Sequence, residues 1–175
     1  MIVDRATLAS RALEFVYAPV NQPELLSSLL PLIIGALIIE MYFGKHKTEV
    51  LGWNTSVGNA VIWISTGINL LITGAFESTV EKAAVYFIIG VGALIGYMDF
   101  FHKWSSSIAF RASSAEAVYP LAYVTVVAVK TDMPIDDLTM KAAAIVIVST
   151  IVFFKILKTL ETPAPDDFKN MKMRN

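Results

Sequence analysis

The sequence predicts an all-α, polytopic integral membrane protein: an amphipathic N-terminal helix followed by a bundle of about five transmembrane helices. Three observations carry that expectation. The 175-residue chain is 55 % hydrophobic and 17 % charged, against roughly 45–50 % and about 25 % in soluble domains, and its mean hydropathy is +0.61. Its apolar residues gather in stretches near the roughly 20 residues that a helix needs to cross about 30 Å of hydrocarbon. Basic and acidic side chains nearly cancel, 14 against 15, so the basic surface of a nucleic-acid binder is excluded. The absence of cysteine further excludes disulfides, thiol catalysis and Cys-ligated zinc.

Residues 1–22 read as a surface helix and linker. Asp4, Thr7, Arg11 and Glu14 recur at i, i+3, i+7 and i+10, while Ala9, Leu13 and Val16 share another face with Leu8, Ala12 and Phe15 beside them. That pattern is an amphipathic helix lying on a bilayer or packed on a partner. It lacks the apolar segment that a secretory signal carries behind its charges. Pro19 is expected to end the helix, and Pro23 with Glu24 to begin the next.

The bundle is expected over residues 23–161. The span at 25–43 carries one charge, Glu40. The span at 54–76 is uncharged, with Asn54, Thr55 and Ser56 as candidate N-caps. The span at 83–101 ends with Asp99, read as a boundary residue that reaches water and pairs with Lys103 at i+4. The span at 107–129 has an uncharged core only over 117–129, preceded by Arg111 and Glu116 and interrupted by Pro120. If that segment is re-entrant, four spans remain. The span at 142–160 bears Lys155 and Lys158 near its end, where long side chains snorkel to headgroups. Its helix is expected to start from an Asp132 cap, with Pro134, Asp136 and Asp137 in the first turn. Residues 162–175 form a polar tail.

Tyr42, Phe43, Trp53, Phe100, Phe101 and Trp104 mark the expected interfaces. His46 and His102 sit beside lysines and read as surface groups rather than metal ligands, since neither has a second ligand at i+3 or i+4.

Three constellations bear on function. Asn59, Thr66, Asn69 and Thr73 fall within an arc of roughly 80° at about 100° per residue. Such a line either borders a water-filled path or hydrogen-bonds neighbouring helices. Gly92 and Gly96 form a GxxxG, a signature of close helix approach. In the fourth span, Ser113, Glu116, Tyr119 and Tyr123 share a face, with Arg111 about 140° away from Glu116. Both charges therefore need partners elsewhere, such as Glu40, Asp99 or an asparagine of the second span. A carboxyl with two phenols in a proline-opened helix suits a proton relay or a cation site. The competing reading is a hydrated helix end.

The chain has no HExxH, GxSxG or GxxxxGK[ST] and no Ser/His/Asp set at membrane depth, so no enzyme, cofactor or metal site is expected. The expectation is a small transport or channel-type protein, oligomeric, with the lipid bilayer and a second copy or other membrane subunits as partners. The alternative is a non-catalytic structural or assembly subunit of a larger membrane complex. A cell or inner membrane is the expected location. With five spans, Arg5, Arg11, Lys82, Lys130 and Lys141 lie on one side against nine Lys and Arg on the other. That bias places the C-terminus in the cytoplasm.

Overall fold

The apolar stretches fold as helices whose outward faces stay apolar. The computed structural model describes residues 7–45, 52–74, 76 and 78–160. Its elements are α1 (Leu8–Asn21), a 3-10 turn (Pro23–Leu25), α2 (Leu26–Lys45), α3 (Trp53–Thr73), α4 (Thr79–Phe100), α5 (Ser106–Ala112), α6 (Ala115–Lys130) and α7 (Asp137–Leu160). Five segments are long and apolar enough to cross a membrane, the fourth being α5 and α6 taken together. Helix α7 illustrates the design: it buries Thr139, Ala142, Val146 and Phe154 while Ile145, Val148, Val152, Phe153, Ile156 and Leu160 point outward, 44–75 % exposed. Several polar side chains lie inside instead, among them Glu40, Ser56, Asn59, Asp99 and Ser113. An exterior with so many exposed large apolar side chains suits lipid rather than water, where extended apolar patches are rare on soluble monomers.

Local chemistry sets the boundaries. Helix α4 opens four residues before the expected span because Ser78 and Glu81 form a capping box, Ser78 Oγ accepting from Glu81 N–H at 3.2 Å. Helix α7 starts at Asp137, and its cap is Asp136 rather than Asp132. The Thr139 backbone N–H donates to Asp136 Oδ1 at 2.7 Å, which holds the Asp136 carboxyl below its ordinary range. Asp132 instead occupies a left-handed turn, φ 49°. The fourth span breaks at Ser113–Ser114, not at Pro120, which lies inside α6.

Helix α1 does not lie apart from the bundle. It packs on α7 and α6, burying Phe15 and Ala18 while Leu13, Val16, Tyr17 and Val20 face outward. Pro19 lies within it rather than ending it. A proline lacks the N–H that would bond the carbonyl four residues earlier, here Phe15. The Tyr123 hydroxyl on α6 supplies the missing donor, reaching Phe15 O at 2.9 Å.

The GxxxG lies in the α3–α4 interface. A Cβ on Gly92 would stand 2.6 Å from Trp63 Cβ, and one on Gly96 would stand 3.4 Å from Ala60 Cβ. The close approach is thus within one chain. Helices α2 and α3 scarcely touch each other. Both lean on α6, and a gap opens between them. The expectations for residues 1–6, His46 and the tail lie outside the described residues, as do the side chains of Tyr42, Phe43 and Asn54.

Candidate functional site

Alternating helix directions bring the C-terminal ends of α2, α4 and α7 to the N-terminal ends of α3 and α6, and two polar clusters form there. The first surrounds Asp99, which is 0 % exposed and so is no boundary residue. Its Oδ2 accepts from Ser56 Oγ at 2.6 Å and Ser113 Oγ at 2.5 Å, and its Oδ1 accepts from Trp104 Nε1 at 2.6 Å. Asn59 adds to the knot by donating Nδ2 to the Ser113 carbonyl at 2.7 Å. The break at Ser113–Ser114 makes this possible, since it turns a hydroxyl and a carbonyl toward α3 and α4. The expected Asp99–Lys103 pair does not form. Trp104 is thus a donor to a buried carboxylate. His102 stacks on Trp53 with centroids 4.1 Å apart. Among the described residues no His, Cys, Asp and Glu group suits a metal.

The second cluster joins three helices. Lys158 Nζ lies 2.6 Å from Glu40 Oε2 and 2.7 Å from Glu116 Oε1. The contact with Glu116 is an aligned hydrogen bond, whereas that with Glu40 is an ion contact off the hydrogen-bonding direction. Glu40 is 2 % exposed, and Lys158 and Glu116 are about a quarter exposed at 29 % and 26 %. Lys158 therefore turns inward rather than snorkelling out. Periodicity shows why: Ala142, Val146, Thr150, Phe154 and Lys158 recur at four-residue spacing along one stripe, while Lys155 points outward. Glu40 likewise follows Leu29, Leu32 and Ala36 along the buried face of α2.

The residues expected on one face of the fourth span diverge to separate partners. Ser113 bonds Asp99, Glu116 bonds Lys158, and Tyr123 bonds Phe15. Tyr119 packs against Gly35, whose Cβ position lies 3.1 Å from its hydroxyl. Glu116, Tyr119 and Tyr123 form no relay with one another. Arg111, at the end of α5, is exposed and does not join Glu116.

The α3 stripe divides as well. Asn59 belongs to the Asp99 knot, whereas Thr66 and Asn69 line a cleft of about 270 Å³ between α2, α3 and α6. Ser27, Ser28 and Ser65 add hydroxyls, and Tyr119 closes the inner end. Thr73, one turn beyond Asn69, does not line the cleft and donates its Oγ1 to the Asn69 carbonyl at 2.8 Å. Ser28 and Thr73 approach Asn69 Oδ1 at 3.4 Å each, both long. Ser65 bonds back to Ile62 O. The Asn69 amide N–H₂ and the Thr66 hydroxyl bond none of the described residues. Pro31 also borders the cleft and leaves the Ser27 carbonyl without its helical donor. On the far side of Tyr119 lies a second, apolar cavity of about 330 Å³ between α2, α6 and α7.

No protein-family description, curated protein or solved structure matches the chain.

Proposed function

We propose that the chain is a small integral membrane protein of the transport or channel type, its five long helices crossing the bilayer. The observation that carries this reading is the α2–α3–α6 cleft, where hydroxyls and an amide converge among apolar helices. Ser27 and Ser65 bond back to nearby carbonyls, but the Thr66 hydroxyl and the Asn69 N–H₂ bond none of the described residues. Side chains that serve only to join helices bond across the interface. Here the link across is the 3.4 Å contact of Ser28 with Asn69. The path begins in the cleft, meets Tyr119, and continues toward Glu40, Lys158 and Glu116. Tyr119 lines both cavities and is the gate of the proposed path. The basic bias assigns the Lys158 end to the cytoplasm and the mouth of the cleft to the opposite side.

Flux measured in reconstituted liposomes tests the proposal. Wild-type protein should carry at least one solute above the protein-free background, and Tyr119→Ala should raise the rate by joining the two cavities. Liposomes tight to every ion and neutral solute tested would remove the transport reading. A second reading, a non-catalytic assembly subunit, is favoured by the Asp99 knot, in which both carboxylate oxygens are bonded inside the chain. Under it, the cleft is filled by another membrane subunit.

A further inference from the structure

We infer that the cleft binds a small uncharged polar solute bearing several hydrogen-bonding groups, in the chemical class of urea or glycerol. The inference rests on the transport reading and names its substrate class.

Size is the first argument. A volume of about 270 Å³ matches roughly nine water molecules at about 30 Å³ each. It therefore admits a molecule of several heavy atoms together with some water. A bare alkali cation needs oxygens closed tightly around it in place of its hydration shell, and a cleft this wide does not close.

Charge is the second. The polar lining consists of serine and threonine hydroxyls, one amide and the Tyr119 phenol, with no Asp, Glu, Lys, Arg or His. An ion drawn between apolar helices without a counter-charge is strongly disfavoured. A neutral solute has to recover only its hydrogen bonds.

The third argument is hydrogen-bond valence. The unspent groups are the Asn69 amide N–H₂, a donor; the Thr66 hydroxyl, a donor and acceptor; and the Ser27 carbonyl freed by Pro31, an acceptor. A ligand with both donors and acceptors satisfies all three at once. Leu32, Ile62 and Val126 complete the lining and suit the carbon frame of such a molecule.

The test uses the full chain in proteoliposomes, with osmotic swelling in urea and in glycerol read beside Na⁺, K⁺ and proton flux. Wild-type protein should pass the neutral solutes and none of the ions. Thr66→Val, which preserves shape, and Asn69→Leu, at an exposed position, should each slow neutral passage about three- to tenfold, the worth of one neutral hydrogen bond. Both variants should elute as the wild type on size exclusion. Ion flux without neutral flux would overturn this inference while leaving the transport reading standing. No flux of any kind would overturn both. Neutral flux indifferent to both substitutions would show that the solute travels elsewhere and would overturn the site.

Discussion

The Tyr123 hydroxyl donates to the Phe15 carbonyl at 2.9 Å, the one carbonyl of α1 that Pro19 deprives of a helical donor. A helix that would otherwise end or kink at Pro19 continues to Asn21 because a residue 108 positions away in sequence completes its bonding. Tyr123→Phe should cost about 1 kcal/mol, the usual net worth of such a bond, and should expose α1 to protease. Adding Pro19→Ala returns a backbone N–H to Phe15 O and should restore part of the loss. Unchanged melting and unchanged cleavage in Tyr123→Phe would contradict the assignment.

Asp99 accepts hydrogen bonds at both carboxylate oxygens, and an asparagine has one acceptor oxygen in place of two. In Asp99→Asn, an amide oxygen turned to Ser56 and Ser113 sets its N–H₂ against the Trp104 N–H. The expected loss is about 2 kcal/mol or more, since bonds to a charged acceptor are worth about 1.5–3 kcal/mol each. Trp104→Phe removes the opposing donor. The double variant should therefore be more stable than Asp99→Asn alone in detergent melting curves. A double variant less stable than either single change would exclude this geometry.

Gly90 and Gly92 of α4 should behave oppositely. Gly92→Ala drives a Cβ to 2.6 Å from Trp63 Cβ, and overpacking of this kind costs about 1–3 kcal/mol. A Cβ at Gly90 meets nothing within 4 Å, so Gly90→Ala should be neutral or gain up to about 1 kcal/mol of helix propensity. Thermal unfolding of the two variants measures the difference directly, and equal melting temperatures would refute it.

Lys158 matters more to folding than Glu116. Lys158→Met leaves Glu40 buried beside Glu116 with no cation among the described residues. The expected cost is about 3 kcal/mol, the lower end of the range for breaking a buried pair, because Lys158 is itself partly exposed. Glu116→Gln keeps a hydrogen-bond acceptor for Lys158 and lets the ammonium settle on Glu40, so its cost should be smaller. Denaturant melts that rank the two the other way round would show that Glu116 is the principal partner.

The long helices were legible because hydropathy and length depend on local composition alone. The expected spans at 25–43, 54–76, 83–101, 107–129 and 142–160 each overlap an observed helical segment. The break in the fourth span was not legible, because Pro120 is the stronger local signal and Ser113–Ser114 gains its reason only from Asp99 on another helix. The inward turn of Lys158 was present in the four-residue periodicity of α7, although snorkelling is the commoner fate of a lysine near a helix end. The Ser27, Ser28 and Ser65 side of the cleft was hidden. Serines in apolar helices become informative only once α2 and α3 are seen to part.

The docking of α1 on α7 sets an order of events during synthesis. Helix α1 depends on α7, which is made after it, with about 140 residues between Asn21 and Leu160. At roughly 5–20 residues per second, α1 waits roughly 7–28 seconds for its partner. Until then Phe15 and Ala18 have nothing of α7 to pack against, and the Phe15 carbonyl is without Tyr123 until α6 emerges. Docking of α1 therefore follows the synthesis of α7, and a ribosome stalled before Asp137 leaves α1 undocked and available to insertion or quality-control factors.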